Sequence, residues 1–205
     1  MSSEIFELVL GLDPEDIRTQ LALQCAPLIT GIKVSNLLIV QNDNIFKVRR
    51  ILRDTDIQYF VLLKTKQKTT MLLYQKSELE SYMKKERVKI FLLDMGYQKP
   101  VLNHVLPLLQ EKYRDYMEKK EEFPHELGIL LGYPVEDVIG FIENKGKNCL
   151  CSGYWKVYGN LAAKVCLFQK FELAKETLIQ LVSNGENMID IINHYHGNRQ
   201  QKAYK

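Results

Sequence analysis

The stretch IQYFVLLKTKQKTTMLLYQ, residues 57–75, sets two runs rich in aliphatic, aromatic and β-branched residues on either side of the polar segment Lys64–Lys68. Such side chains suit a pleated, half-buried surface, and a short polar break between two such runs reads as a hairpin. This is the best hairpin signal in the chain, and around it the apolar spacing is mostly helical. NLLIV (36–40) reads as a short buried strand or a helix end, whereas NIFKVRRILRD (44–54) has helical spacing. Helical patterns follow at 77–95 and 100–119, at 134 to about 144, at 161–182 and at 186–193. The expected fold is α+β: a mainly helical single domain over 1–195 with a small antiparallel sheet built on the hairpin, then a polar tail, 196–205.

Upstream, Leu12-Asp13-Pro14-Glu15-Asp16 reads as a helix start, with Asp13 as the cap and Pro14 at the first helical position. That helix runs toward LALQCAPLI (21–29), where Pro27 lacks an N–H and predicts a kink or an end. A short second helix is expected to begin at Ala26 or Pro27 and to stop before Ser35.

At 46% hydrophobic and 26% charged, the 205 residues fall in the ordinary globular range and can bury a substantial core. With 28 basic and 25 acidic residues, the net charge of +3 argues against nucleic acid as a partner. MSSEIFELVLGLDPED has no basic n-region, so no signal peptide is expected, and no window approaches the ~18 apolar residues of a membrane span. The four cysteines are therefore expected to be reduced thiols in a cytoplasm. The charge runs MKKERVK and YMEKKEE read as solvated helix faces.

Cys25 is the first candidate. If a helix restarts at Ala26 or Pro27, the thiol caps it and faces unpaired N–H groups, which lower a thiol pKa and can hold an oxyanion. Gln20 and Gln24, one turn apart, offer a second oxyanion donor. A thiol nucleophile needs a base, and that base needs an orienting group. His125, in Phe123-Pro124-His125-Glu126, has the most site-like context. Asp137 is its best partner, with Glu126, Glu143 and Asn144 as substitutes. Tyr154, Trp155 and Tyr158 form the densest aromatic cluster, suited to lining an acyl or aromatic pocket or to a core. A second set points elsewhere: Cys149-Leu150-Cys151 and His194-Tyr195-His196 offer soft or borderline ligands for zinc, a haem iron or a cluster. Cys166 falls on the apolar side of the last long helix, as a core residue.

CAPLITGIKVSNLL (25–38), FPHELGILLGYPVEDVIGFIENKGKN (123–148) and CSGYWKVYGN (151–160) resemble the signature blocks of an uncharacterised family of anaerobic Gram-positive bacteria, a domain of unknown function. The resemblance implies a cytoplasmic bacterial protein and supplies no activity. More loosely, the order Gln20 or Gln24, Cys25, His125, Asp137 resembles papain-like cysteine peptidases and their biosynthetic relatives. Two functions are thus expected from different classes. In the first, Cys25 attacks an amide or thioester carbonyl, His125 acts as base and then acid, and Asp137 orients the imidazole. The substrate is a small acyl or peptide group, with no cofactor and no membrane. The acceptor is water or an amine, and the resemblance adds that the donor can ride on a carrier protein. In the second, the chain is a non-enzymatic binder of a metal, a haem or a partner through Cys149, Cys151 and the aromatic cluster, with His194 or His196.

Overall fold

At the centre of the computed structural model, which describes residues 3–202, three strands form an antiparallel sheet. β1 (Ser35–Gln41), β2 (Ile57–Lys64) and β3 (Lys68–Gln75) lie in the order β1-β3-β2. The 57–75 hairpin is therefore present, and NLLIV resolves as the strand added to its far side. Side chains alternate across a strand, and here both faces are buried. Leu38, Val40, Ile57, Met71 and Leu73 enter one core, while Leu62, Leu72 and Tyr74 enter a second. A bulge between Val61 and Leu63 bends β2.

Helices cover each face. On the first lie α1 (Ser3–Gly11), α2 (Ile17–Ile29), α3 (Ile45–Arg53), α9 (Leu161–Ser183) and α10 (Met188–Lys202). On the second lie α4 (Lys76–Met83), α5 (Glu86–Asp94), α6 (Leu102–Met117), α7 (Glu126–Leu130) and α8 (Val135–Glu143). A minimal ladder, β4 (Cys151–Ser152) with β5 (Lys156–Val157), holds a third small cluster around Trp155, Val157 and Phe171. The α+β, mainly helical class with a small antiparallel sheet is what the chain adopts.

Several boundaries differ from the sequence expectation, each for a local reason. The helix cap is Asp16 rather than Asp13: its Oδ1 accepts the Arg18 N–H at 2.8 Å, while Asp13 Oδ1 accepts from Glu15 N in the turn before. Pro27 neither ends nor kinks off a second helix. It sits in the last turn of α2, where its missing N–H costs one hydrogen bond near an end already fraying into a cap at Thr30. The 77–95 pattern splits because Lys85 is extended, at φ −61° and ψ 132°, and caps α5. The last helix carries on past residue 193, and His196 within it is buried. Among the described residues no helix is long and apolar enough to cross a membrane.

Candidate functional site

Cys25 lies inside α2, not at a helix start, so its sulfur faces no row of unpaired amides. It is fully buried in the core on the α2 side of the sheet, with Sγ 3.6 Å from the Leu37 carbonyl oxygen. Burial pushes the thiol pKa up to about 12, a rise only partly offset by Lys33. The two glutamines are also committed. Gln20 Nε2 donates to Pro14 O at 3.0 Å. Gln24 pairs with the edge of β1 as a strand would, Nε2 donating to Ile39 O at 3.2 Å and Oε1 accepting Ile39 N at 2.9 Å. The expected oxyanion donors are therefore structural caps.

His125 lies on the other face. It precedes α7, which is anchored by the buried Glu126: Tyr97 Oη donates to Oε1 at 2.8 Å and Lys112 Nζ at 2.7 Å. The His125 ring rests between Phe123, 5.7 Å away, and Phe141, 5.5 Å away. It helps to line a cavity of about 370 Å³ whose walls also include Leu37, Tyr113, Tyr133, Val138 and Trp155. Cys25 is not among the lining residues. The thiol and the imidazole belong to opposite sides of the sheet, and the Cys25–His125 pairing fails on that ground.

Asp137 does reach the cavity, but its oxygens are spent elsewhere. Oδ2 accepts the indole N–H of Trp155 at 2.7 Å, and Oδ1 accepts the backbone N–H of Tyr158 at 2.8 Å and of Gly159 at 3.2 Å. No bond to His125 is among them. Asp137, in the first turn of α8, instead fastens the β4–β5 ladder and the approach to α9. Trp155 is both a buried residue and a cavity wall. Its ring stacks on Tyr133 at 4.8 Å and 29° and takes Phe168 edge-on at 4.6 Å. Gly153 permits that closure, since a Cβ there would lie 2.5 Å from the Phe168 ring. Tyr154 turns away, with Oη donating to Glu172 at 2.7 Å. Tyr158 packs on Gly140, and its Oη is sealed without a hydrogen-bond partner.

The metal expectation finds no assembly. Among the described residues no three His, Cys, Asp or Glu side chains come together as a metal site. Cys151 is half-buried in the β4–β5 ladder and Cys149 half-buried just before it. His194 is exposed, whereas His196 is buried, with Nε2 3.0 Å from Ile29 O and Nδ1 3.0 Å from Gln75 Nε2. Those contacts use the ring to hold α10 against the end of α2. Cys166, expected in the core, is exposed on α9.

Sequence reasoning missed Phe141, Tyr113 and Tyr133 as wall residues. Phe141 and Tyr133 sit inside the distinctive 123–148 block, Phe141 directly after Gly140 and Tyr133 directly between Gly132 and Pro134, residues that looked like turn chemistry, and Tyr113 looked like part of a polar helix. No curated protein and no solved structure matches the chain significantly, so the looser papain-like likeness has no support. A family model does match, over residues 21–192, from the middle of α2 into α10 and across every element that builds the cavity. The chain belongs to the family described as "Protein of unknown function (DUF3793)".

Proposed function

We propose that the protein binds a small, flat, largely apolar molecule in the cavity between α7, α8 and the β4–β5 ladder. The supporting observation is the cavity itself: about 370 Å³, walled by Phe123, Tyr133, Phe141 and Trp155, with its one carboxylate, Asp137, already satisfied by three donors. That volume lies within the range of small-ligand sites, and aromatic walls with few convergent polar groups are their usual composition. The His125 ring, which has no hydrogen-bond partner among the described residues, is a polar group of the wall free to orient a ligand. This keeps the non-enzymatic alternative and changes its chemistry, from a metal or haem to an aromatic guest. The acyl-transfer reading needs an accessible thiolate, and Cys25 offers neither access nor a lowered pKa.

Trp155 is the chain's only tryptophan and stands in the cavity wall, so it reports binding directly. The neutral dye phenylnaphthylamine should quench Trp155 saturably, by energy transfer, at one dye per chain. Ser152 is an exposed residue at the rim. Ser152→Phe should weaken the dye at least about tenfold, or about 1.4 kcal/mol. Non-saturable quenching, or an unchanged affinity in the variant, would count against the cavity as the site.

A further inference from the structure

Among the described residues that line the cavity, the lysine is Lys156, in β5. Its ammonium is held in place from the end of α8. Gly146 closes that helix in a left-handed conformation, φ +70°, with its N–H donating to Phe141 O at 2.8 Å. The Gly146 carbonyl then accepts from Lys156 Nζ at 2.7 Å, and the nitrogen stands 5.7 Å from the centre of the Phe141 ring. The His125 imidazole, also a wall residue, lies 5.5 Å from the same ring. An ammonium and an imidazole thus stand against one aromatic side chain that itself lines the cavity.

The cavity's own carboxylate does not neutralise that ammonium. Asp137 accepts from Trp155, Tyr158 and Gly159, and Lys164 Nζ stands 4.0 Å from its Oδ2. Its counter-charge is therefore Lys164. Among the described residues Lys156 forms no ion pair, and its acceptor, the Gly146 carbonyl, takes one of three ammonium hydrogens. His125 makes no hydrogen bond among them either, and an imidazole presents an N–H in each neutral tautomer and in its cation. The charged and imidazole groups of the wall left for a guest are thus donors. A neutral apolar guest leaves them unanswered, and a cation meets like charge. An anion answers both, through charge-assisted hydrogen bonds about twice as strong as neutral ones.

Resting on the ligand-binding reading above, we infer that the ligand is an aromatic acid, its ring against Trp155 and Phe141 and its anionic group accepting from Lys156 Nζ and His125. Trp155 and Lys156 are consecutive in the chain and both line the cavity, so the residue that reads the ring adjoins the one that reads the charge.

Two dyes of the same ring skeleton separate this from the underlying reading: anilinonaphthalene sulfonate and its neutral parent phenylnaphthylamine, each followed by quenching of Trp155. Wild-type protein should prefer the sulfonate. Lys156→Met should weaken the sulfonate at least about tenfold, the worth of one hydrogen bond to a charged group, and leave the neutral dye unchanged. Lys156→Gln, which removes the charge and keeps an N–H donor, should do the same, whereas Lys156→Arg should retain most of the preference. His125→Phe keeps an aromatic ring between Phe123 and Phe141 and should cost the sulfonate alone about threefold or more. Lys147 is exposed beside Gly146 and outside the wall, and Lys147→Met should change neither dye. Equal losses for both dyes in Lys156→Met and Lys156→Gln would mean a structural role and overturn the inference. So would a loss that follows Lys147→Met instead, or wild-type protein that favours the neutral dye. Failure of the neutral dye to bind at all would strike the cavity reading itself.

Discussion

Asp137 accepts from three places in the chain, the indole of Trp155 and the backbone of Tyr158 and of Gly159, and its identity follows from that load. An amide in its place has one acceptor oxygen and sets an NH2 group against the remaining donors. Asp137→Asn should cost about 2 kcal/mol or more, the penalty for orphaned buried donors. It should also redden Trp155 emission, and a urea midpoint unchanged from wild type would contradict this assignment. Cys25 makes the opposite point. A thiol held at a pKa of about 12 in the core should resist iodoacetamide in the native protein, while exposed Cys166 reacts. Peptide mapping should find Cys25 modified only after unfolding, and labelling of Cys25 at the rate of Cys166 would revive it as a nucleophile. Nothing in LALQCAPLI distinguished these cases. A helix that ends at a proline and a helix that carries the proline in its last turn have the same residues, and only packing against β1 decides between them.

At the scale of elements, the hairpin was legible because its two runs carry their own strand chemistry and a polar turn between them. The central strand β3 is buried at every position from Thr69 to Gln75, which explains why its pattern is continuous rather than alternating. The start of α8 at Pro134 was legible for the same local reason. The site was not. It depends on which face of the sheet each neighbour of β1 covers, and a one-residue change of parity moves Leu37 from one core to the other. The α8 helix also supplies a test in which sign matters. Glycine to alanine inside a helix ordinarily stabilises by about 1 kcal/mol. At Gly140, however, a Cβ would lie 2.5 Å from Cβ and Cγ of Tyr158, atoms that cannot swing aside without moving the backbone. Overpacking costs about 1–3 kcal/mol, and so close a contact lies at the upper end. Gly140→Ala should therefore lower stability by about 1–2 kcal/mol net, whereas Gly11→Ala, with nothing within 4 Å, should not lower it. A stabilised Gly140→Ala would refute the α8–Tyr158 packing.

For the whole molecule, the two helix layers and the sheet between them bring two buried titratable groups, Lys33 and Cys25, within electrostatic range of each other. Their opposite linkages shape the alkaline stability curve. The unfolded chain keeps Lys33 protonated up to its ordinary 10.5, while the native amine loses its proton near 8, so this residue makes stability rise with pH between those values. Unfolded Cys25 ionises from 9.0, whereas the native thiol holds its proton to about 12, so stability falls with pH across that window. Urea midpoints should thus climb from about pH 8, level where the windows overlap, and drop above 10.5. In Lys33→Met the climb should vanish and the fall remain; identical curves for the two proteins would place the amine in water.

The most direct measurement is a crystal structure of the complex with phenylnaphthylamine. The account predicts the naphthyl ring between Trp155 and Phe141, beside the His125 imidazole, with the three-stranded sheet unmoved. A dye seated instead on the exposed side chains of Phe46 or Leu10, with the space around Trp155 empty, would contradict it.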